Sequence, residues 1–263
     1  MIILYFGILG AEFYRKASIF IRYNFGVCVV QIKDKRNNLV TLSNQNSIAG
    51  LENFENELMG FSKHTIGVIS ELVERDPDCP LAFAYTAMCY LSGETKASNL
   101  LAEPFIRGAD ALRSISNDRE KRTIDAMKDW SYGNLYSAAK SLDDLLTDYP
   151  SDLIASKFCQ AIYFNIGNAP GILRAPMKVA EACSDSPYTF GMLAFGYEEC
   201  HLLREAEEAA QKAISMKRDE PWAHHAYAHI FEGYGQLEKG ASRAQKDQEH
   251  ADELCRAHEQ ALQ

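Results

Sequence analysis

The chain has 263 residues, of which 47% are hydrophobic and 24% are charged, and its formal net charge at pH 7 is −9. This composition is typical of a folded globular protein and excludes a chain that is disordered over most of its length. The negative charge argues against DNA, RNA and anionic membrane surfaces as binding partners, so we expect no nucleic-acid partner and no membrane partner.

Residues 1–45 differ in character from the rest of the chain, and we predict that they form an atypical N-terminal appendage. The apolar stretch Met1 to Ala11 is too short to span a bilayer, which needs about 20 apolar residues, and it is soon followed by charged residues. The segment Phe25 to Ile32 is rich in β-branched residues and predicts a strand-like structure.

From residue 46 to residue 240 the pattern predicts one helix after another. Apolar residues recur at spacings of three and four, as in Ile66, Ile69, Leu72 and Val73. Glycines follow these runs, where helices are expected to end, and prolines stand where the next helices begin. The glycines are Gly93, Gly133, Gly167 and Gly235, and the prolines are Pro77, Pro80, Pro150, Pro187 and Pro221.

The spacing of these prolines indicates an internal repeat. Pro187 and Pro221 are 34 residues apart, and Pro150 and Pro187 are 37 apart. Small residues recur in phase with this period, since Ala138 and Ala206 are separated by 68 residues. A period near 34 is typical of tetratricopeptide helix pairs, which bury their apolar faces by stacking on one another. We therefore predict an all-α fold, an α-solenoid of degenerate tetratricopeptide-like helix-turn-helix repeats over residues 46–240.

Several blocks of sequence carry a closer resemblance. The stretch Trp222 to Glu232, with Asp219-Glu220-Pro221 before it, resembles a segment of the tetratricopeptide repeat protein 38 family. The blocks Asn117 to Glu120 and Asp148 to Asp152 are similar to that family as well. The resemblance covers roughly residues 40–240 and implies a helical solenoid, but no particular activity. Family members continue with further helices, whereas residues 241–263 here are polar and predict a separate C-terminal helix.

The sharpest candidate for a chemical site is the set His225, His229 and Glu232. Offsets of four and seven residues place the three side chains on one helix face, within an arc of roughly 60° around the helix axis. Two imidazoles and a carboxylate so arranged could bind a metal ion or a polar substrate. Hydrogen bonding to neighbouring groups is the favoured interpretation, because no further converging group is evident in the sequence. No catalytic residue, metal ligand or cofactor is therefore assigned.

Cysteines and aromatic residues are the other side chains that could form a site. The cysteines are odd in number and include no Cys-x-x-Cys pair, which predicts reduced, buried thiols in a cytoplasmic protein. They occupy positions 28, 79, 89, 159, 183, 200 and 255. The aromatic residues Trp130, Tyr132, Tyr136 and Tyr163 have helical spacing, and we expect them to pack between helices rather than to line a peptide groove.

Two functions are consistent with these patterns. The favoured one is a protein-interaction scaffold that binds a peptide or partner protein on the concave face of the repeat stack. A cluster of exposed residues on the first helices would indicate it, with Lys157, Asn165, Tyr188 and His224 as candidates. The alternative is a metal-dependent or acid–base enzyme that uses the His225, His229 and Glu232 face, and this requires a pocket and a bound metal.

Overall fold

The computed structural model describes residues 29–236 and residue 238, so the segment 1–28 and the predicted helix over 241–263 lie outside the described residues. In the described part, a β-hairpin precedes a series of helices. The elements are β1 (Val30–Lys33), β2 (Leu39–Leu42), α1 (Ser47–Met59), α2 (Thr65–Arg75), α3 (Pro80–Leu91), α4 (Lys96–Ala111), α5 (Asp118–Ser131), α6 (Leu135–Asp148), α7 (Leu153–Asn165), α8 (Ala169–Val179), α9 (Pro187–Glu199), α10 (Leu203–Met216) and α11 (Pro221–Gly233). The predicted fold class, a tetratricopeptide-like α-solenoid, is confirmed.

The turns between paired helices repeat with the predicted period. Gly133, Gly167, His201 and Gly235 each have a positive φ, between 57° and 79°, and each lies 34 residues after the previous one. The residue after each of them donates its N–H to the carbonyl five residues earlier, as in Asn134 to Asp129 at 2.9 Å. This hydrogen bond closes the last turn of the first helix of the pair. His201 shows that glycine is not obligatory at this position.

The chain divides into two compact units between Phe158 and Cys159, inside α7. We call residues 29–158 unit 1 and residues 159–236 unit 2. The predicted boundaries at residues 45 and 240 stay predictions. In each unit we call α3, α5, α7, α9 and α11 the first helices of their pairs, and α4, α6, α8 and α10 the second helices.

Unit 1 is organised around α3, in which every residue except Tyr90 is buried. Its Tyr85 stacks on Phe54 of α1 with ring centroids 5.5 Å apart and on Phe158 of α7 at 6.2 Å. Phe158 also makes an edge contact with Trp130 of α5 at 6.2 Å. Rings of this size bury much apolar area and hold the first helices of unit 1 together.

The hairpin packs on the helices of unit 1. β1 and β2 are antiparallel, with Val30 opposite Leu42, so the predicted strand-like segment overlaps β1. Val40 and Leu42 are buried, while the backbone and hydroxyl of Thr41 between them donate to the Glu120 carboxylate of α5, both at 2.7 Å. The strand is therefore fixed by apolar and charged contacts on its two faces.

Unit 2 has a core built largely from small residues. Ala206, Ala210 and Ala213 of α10 are buried against Ala223 and Ala226 of α11. Small side chains let helix axes approach closely, and a glycine brings two backbones together in the same unit. A Cβ atom added to Gly196 of α9 would lie 2.7 Å from the Cα of Leu173 in α8. The predicted small-residue pattern thus has a direct packing role.

None of the helices described here is both long enough and apolar enough to cross a membrane.

Candidate functional site

The predicted histidine face lies on α11, whose start is well defined. Glu220 caps the helix by accepting the Ala223 N–H at 2.5 Å, and Pro221 occupies its first turn. One helical turn further, the rings of His225 and His229 have centroids 4.7 Å apart. The structure therefore brings the two predicted histidines together, as their spacing of four residues requires.

The third predicted member, Glu232, joins the pair at its exposed end. Its Oε2 lies 3.9 Å from Nδ1 of His229, and its side chain is 70% exposed. This distance is longer than a hydrogen bond, so Glu232 is a neighbouring charge rather than a fixed acceptor.

A second carboxylate, which sequence reasoning missed, approaches from the neighbouring first helix. Glu198 of α9 places Oε1 3.9 Å from Nδ1 of His229, and its side chain is only 14% exposed. Its Oε2 is buried and has no hydrogen-bond partner among the described residues. Burial raises the pKa of Glu198 above its ordinary value, and the charge of His229 opposes this shift. Nothing in the sequence marks Glu198, because it lies 31 positions before His229.

Aromatic rings continue the site across the first helices of unit 2. Phe195 of α9 lies 5.2 Å from Trp222 and 5.6 Å from His225 of α11, measured between ring centroids. On its other side Phe195 contacts Phe164 of α7 at 5.5 Å. We call Phe164, Phe195, Trp222 and His225 the aromatic ladder. It links three successive first helices within unit 2.

The aromatic ladder and the carboxylates form a surface whose side chains are exposed to solvent at both ends. Phe164 is 45% exposed and the side chain of His229 is 46% exposed, whereas Phe195 between them is 4% exposed. Trp222 and His225 are half-buried. The surface thus offers ring faces and carboxylate oxygens together, which suits the recognition of a partner's side chains. Within residues 29–236, no group of three or more His, Cys, Asp or Glu side chains is arranged to hold a metal ion.

The four residues that the sequence suggested as exposed markers of a binding face differ in their exposure to solvent. Asn165 is exposed, Tyr188 and His224 are half-buried, and Nε2 of His224 lies 2.7 Å from the Arg218 carbonyl. Lys157 is only 8% exposed, so the prediction that it is an exposed marker was wrong. It lies in the middle of α7 within a run of buried residues, where helix packing covers its side chain.

The aromatic set predicted to pack between helices is divided. Trp130 and Tyr163 are buried, with 5% and 3% exposure, as expected. Tyr132 and Tyr136 are 73% and 68% exposed, so the packing prediction was wrong for both. Tyr132 directly follows α5 and Tyr136 lies in the first turn of α6, so both are close in sequence to the left-handed turn at Gly133. Helical spacing does not continue through such a turn, which explains the error.

Unit 1 contains a polar cleft that has no counterpart in the sequence predictions. Asp34, Asn38, Tyr85, Arg119 and Asp152 are among its lining residues, and the space open to water inside it is about 20 Å³. That volume corresponds to roughly one water molecule. The cleft is too small for an organic substrate and belongs to the packing between hairpin and helices.

The described cysteines are free thiols that are mostly buried. Cys79, Cys89, Cys159 and Cys183 are buried and Cys200 is half-buried, which agrees with the prediction, whereas Cys28 and Cys255 lie outside the described residues. Burial raises the pKa of Cys89 to about 12, so its reactive thiolate form is suppressed.

Comparison with known proteins finds only weak similarity in sequence and structure. No model of a protein family matches the chain. Among solved structures, "MamA RS-1 ArsTM double mutant" is similar with 19% identity and a TM-score of 0.47, covering 66% of this chain and 96% of that one. "MamA 41-end from Desulfovibrio magneticus RS-1" has 20% identity and a TM-score of 0.46, covering 62% and 93%. "MamA MSR-1 C2" has 16% identity and a TM-score of 0.44, covering 66% and 98%.

Proposed function

We propose that this protein is an interaction scaffold, which binds a peptide or a segment of a partner protein on the first helices of unit 2. The observation that carries the proposal is the aromatic ladder, which joins α7, α9 and α11, with Phe164 exposed at one end and the exposed His229 next to His225 at the other. Aromatic side chains contribute much of the binding energy in protein interfaces because they bury a large area at a small cost in side-chain entropy.

The shape of this surface favours an extended segment over a small molecule. The exposed ring of Phe164 lies on α7 and the half-buried rings of Trp222 and His225 lie on α11, with the buried Phe195 of α9 in contact with all three. A ligand that contacts both groups of rings must therefore cross several helices. A peptide chain does this readily, and stacked helical repeats commonly bind extended segments in this way.

A selection of random peptides on the purified chain tests the proposal, followed by affinity measurement through fluorescence anisotropy. Phe164→Ala removes an exposed ring of the aromatic ladder, and we expect it to weaken selected peptides by about ten-fold or more, equivalent to about 1.4 kcal/mol. Tyr136→Ala is the matched control, since Tyr136 is an exposed aromatic residue of unit 1. It should change affinity by less than about two-fold. Failure to select binders, or equal effects of both variants, would contradict the proposal.

A metal-dependent or acid–base enzyme is the second candidate function. It is favoured by the 4.7 Å approach of the His225 and His229 rings and by the two carboxylates that lie 3.9 Å from His229. Zinc titration by calorimetry tests it on the wild-type chain and on the double variant His225→Ala/His229→Ala. Stoichiometric binding that disappears in the double variant would favour the enzyme, whereas equal heats in both proteins would count against it.

We also propose that the chain is related to the tetratricopeptide repeat protein 38 family. The block from Trp222 to Glu232 and the two similar blocks before it in the sequence support this relationship. A cytoplasmic location is proposed from the cysteine usage. Expression of the full chain with a fluorescent tag tests the location directly, and a uniform cytoplasmic signal is expected.

A further inference from the structure

We propose that the surface of unit 2 recognises a cationic side chain of its partner, an arginine or a lysine, which pairs with Glu198 and lies against the rings of Trp222 and His225. This inference rests on the proposed scaffold function and names the chemistry that the same surface selects. Three features of the surface support it, namely the carboxylate, the charges around it and the aromatic walls.

Within the described part of the chain, the Glu198 carboxylate receives no hydrogen bond. One oxygen, Oε2, is buried with no hydrogen-bond donor among the described residues, and the other, Oε1, is 3.9 Å from the nearest histidine nitrogen. A carboxylate that has lost water without gaining donors is destabilised, and burial accordingly raises its pKa. A cationic donor that reaches Oε1 would supply the missing interaction.

Among the residues that the structure describes, the charges around Glu198 are predominantly negative. The groups that act most strongly on it are His229 and Glu232 from α11, Glu199 from its own helix and His201 from the following turn. Three carboxylates thus stand beside two imidazoles, which carry charge only when protonated. Over residues 29–236 the site has an excess of negative charge, so charge complementarity favours a cationic partner over an acidic one.

Aromatic rings lie beside this carboxylate. Phe195, which precedes Glu198 by three residues on α9, is buried and contacts Trp222 and His225, so it holds these two rings on the same side of α9 as the carboxylate. On α11, His225 stands four residues before His229, and Trp222 lies 5.8 Å from His225 between ring centroids. Guanidinium and ammonium groups stack on aromatic faces, most favourably on tryptophan, and their aliphatic stems pack on the rings. Carboxylate and rings together therefore fit both parts of an arginine or lysine side chain.

The two tryptophans of the chain make this site directly observable. Protein labelled with 5-fluorotryptophan gives one fluorine NMR resonance for Trp222 at the site and one for Trp130 in the core of unit 1, and Trp130→Phe assigns them. The probe is N-acetyl-arginine-N′-methylamide, with the citrulline analogue as a neutral probe of nearly the same shape. We expect the arginine probe to shift the Trp222 resonance saturably, and the Trp130 resonance to stay in place.

Neutral probes and charge-removing variants test the role of the carboxylate. We expect the citrulline probe to bind at least about ten-fold more weakly, and Glu198→Gln to weaken the arginine probe by a similar factor. Glu208→Gln is the matched control, because Glu208 is an exposed acid of α10 in the same unit. Thermal unfolding of both variants checks that they fold.

Several outcomes would overturn the inference. They are the absence of any Trp222 shift at about 50 mM arginine probe, equal binding of the citrulline probe, and full binding by Glu198→Gln. Failure here is distinguishable from failure of the scaffold function. Selected peptides that depend on Phe164 but tolerate Glu198→Gln would leave the scaffold in place and refute the cation site, whereas the absence of any selected peptide would contradict the scaffold itself.

Discussion

Arg119 and Asp152 form an ion pair that is almost completely removed from solvent. Nη1 of Arg119 on α5 lies 2.7 Å from Oδ2 of Asp152, which precedes α7, and the two side chains are 4% and 3% exposed. Each partner has a further role, because Arg119 Nη2 donates to the Leu39 carbonyl at 3.0 Å and Asp152 Oδ1 accepts the Ala155 N–H at 2.9 Å. The pair therefore connects the hairpin, α5 and the start of α7 within unit 1.

Removal of one partner of this pair is expected to be costly. Asp152→Ala leaves the Arg119 charge buried and uncompensated, and we expect the free energy of unfolding to fall by about 3–5 kcal/mol. Replacing both partners, as in Arg119→Met/Asp152→Leu, leaves no buried charge and should cost less than the single change. Urea unfolding measures both values.

An exposed pair provides the control for this experiment. On α6, Nζ of Lys140 lies 2.6 Å from Oδ2 of Asp144, and the two side chains are 60% and 56% exposed. Lys140→Ala should change stability far less than Asp152→Ala, because solvent screens an exposed ion pair. If Asp152→Ala cost no more than Lys140→Ala, the buried pair would have no special role.

The attachment of the hairpin gives a local prediction. Glu120 accepts both the N–H and the hydroxyl of Thr41, and it also accepts the Asn117 N–H at 2.9 Å. Glu120→Gln replaces one accepting oxygen by a donor, so at least one of these bonds is lost. We expect amide hydrogen exchange over residues 39–44 to become about ten-fold faster, since local opening costs about 1.4 kcal/mol less. Mass spectrometry measures the rate.

Glu103→Gln is the matched control for the hairpin. Glu103 is an exposed acid of unit 1, paired on α4 with Arg107 and 56% exposed. This change should leave the exchange of residues 39–44 unaltered. Unchanged exchange in Glu120→Gln as well would mean that apolar burial of Val40 and Leu42 alone holds the strand.

Two glycines in helices should respond to alanine in opposite directions. Gly196→Ala places a Cβ 2.7 Å from the backbone of Leu173, which cannot move without separating α8 and α9. We expect a loss of about 1–3 kcal/mol. At Gly67 in α2, no atom of the described residues outside the helix's own backbone lies within 4 Å of such a Cβ, so Gly67→Ala should stabilise the helix by up to about 1 kcal/mol. Thermal unfolding measures both changes, and a neutral Gly196→Ala would refute the close approach.

The raised pKa of Glu198 predicts a dependence of stability on pH. The folded state holds the Glu198 proton more tightly than the unfolded state, whose carboxyl titrates near the ordinary value of 4.5. Stability from this group is therefore present below pH 4.5 and is lost as pH rises through the raised folded-state pKa. Glu198→Gln removes this loss, so the variant should gain in Tm relative to the wild type as pH rises from about 4.5 towards neutrality.

Glu208→Gln serves as the comparison for the pH series, because this exposed acid is not buried by folding. Its Tm difference from the wild type should stay flat across the same range. A flat difference for Glu198→Gln too would show that the carboxylate is fully hydrated in the folded state.

Local patterns in the chain were enough to predict the repeating helical architecture and the geometry of the histidine face. The position of a helix end depends on residues within one turn of it. The glycines at positions 133, 167 and 235 therefore predicted where three of the first helices end. His225, His229 and Glu232 share a face because four- and seven-residue offsets return to the same side of any α-helix. These features follow from backbone preferences over a few residues, which a linear pattern records.

The packing of the folded chain, in contrast, determines which distant residues meet and which surfaces remain open. Glu198 approaches His229, and Arg119 contacts the Asp152 carboxylate and the Leu39 carbonyl, because packing brings together residues that are 31 to 80 positions apart. The same packing buried Lys157 and left Tyr132 in solvent, against prediction. Periodicity specifies a face of one helix, whereas the neighbours of that face depend on how closely the next helix packs, as it does at Gly196.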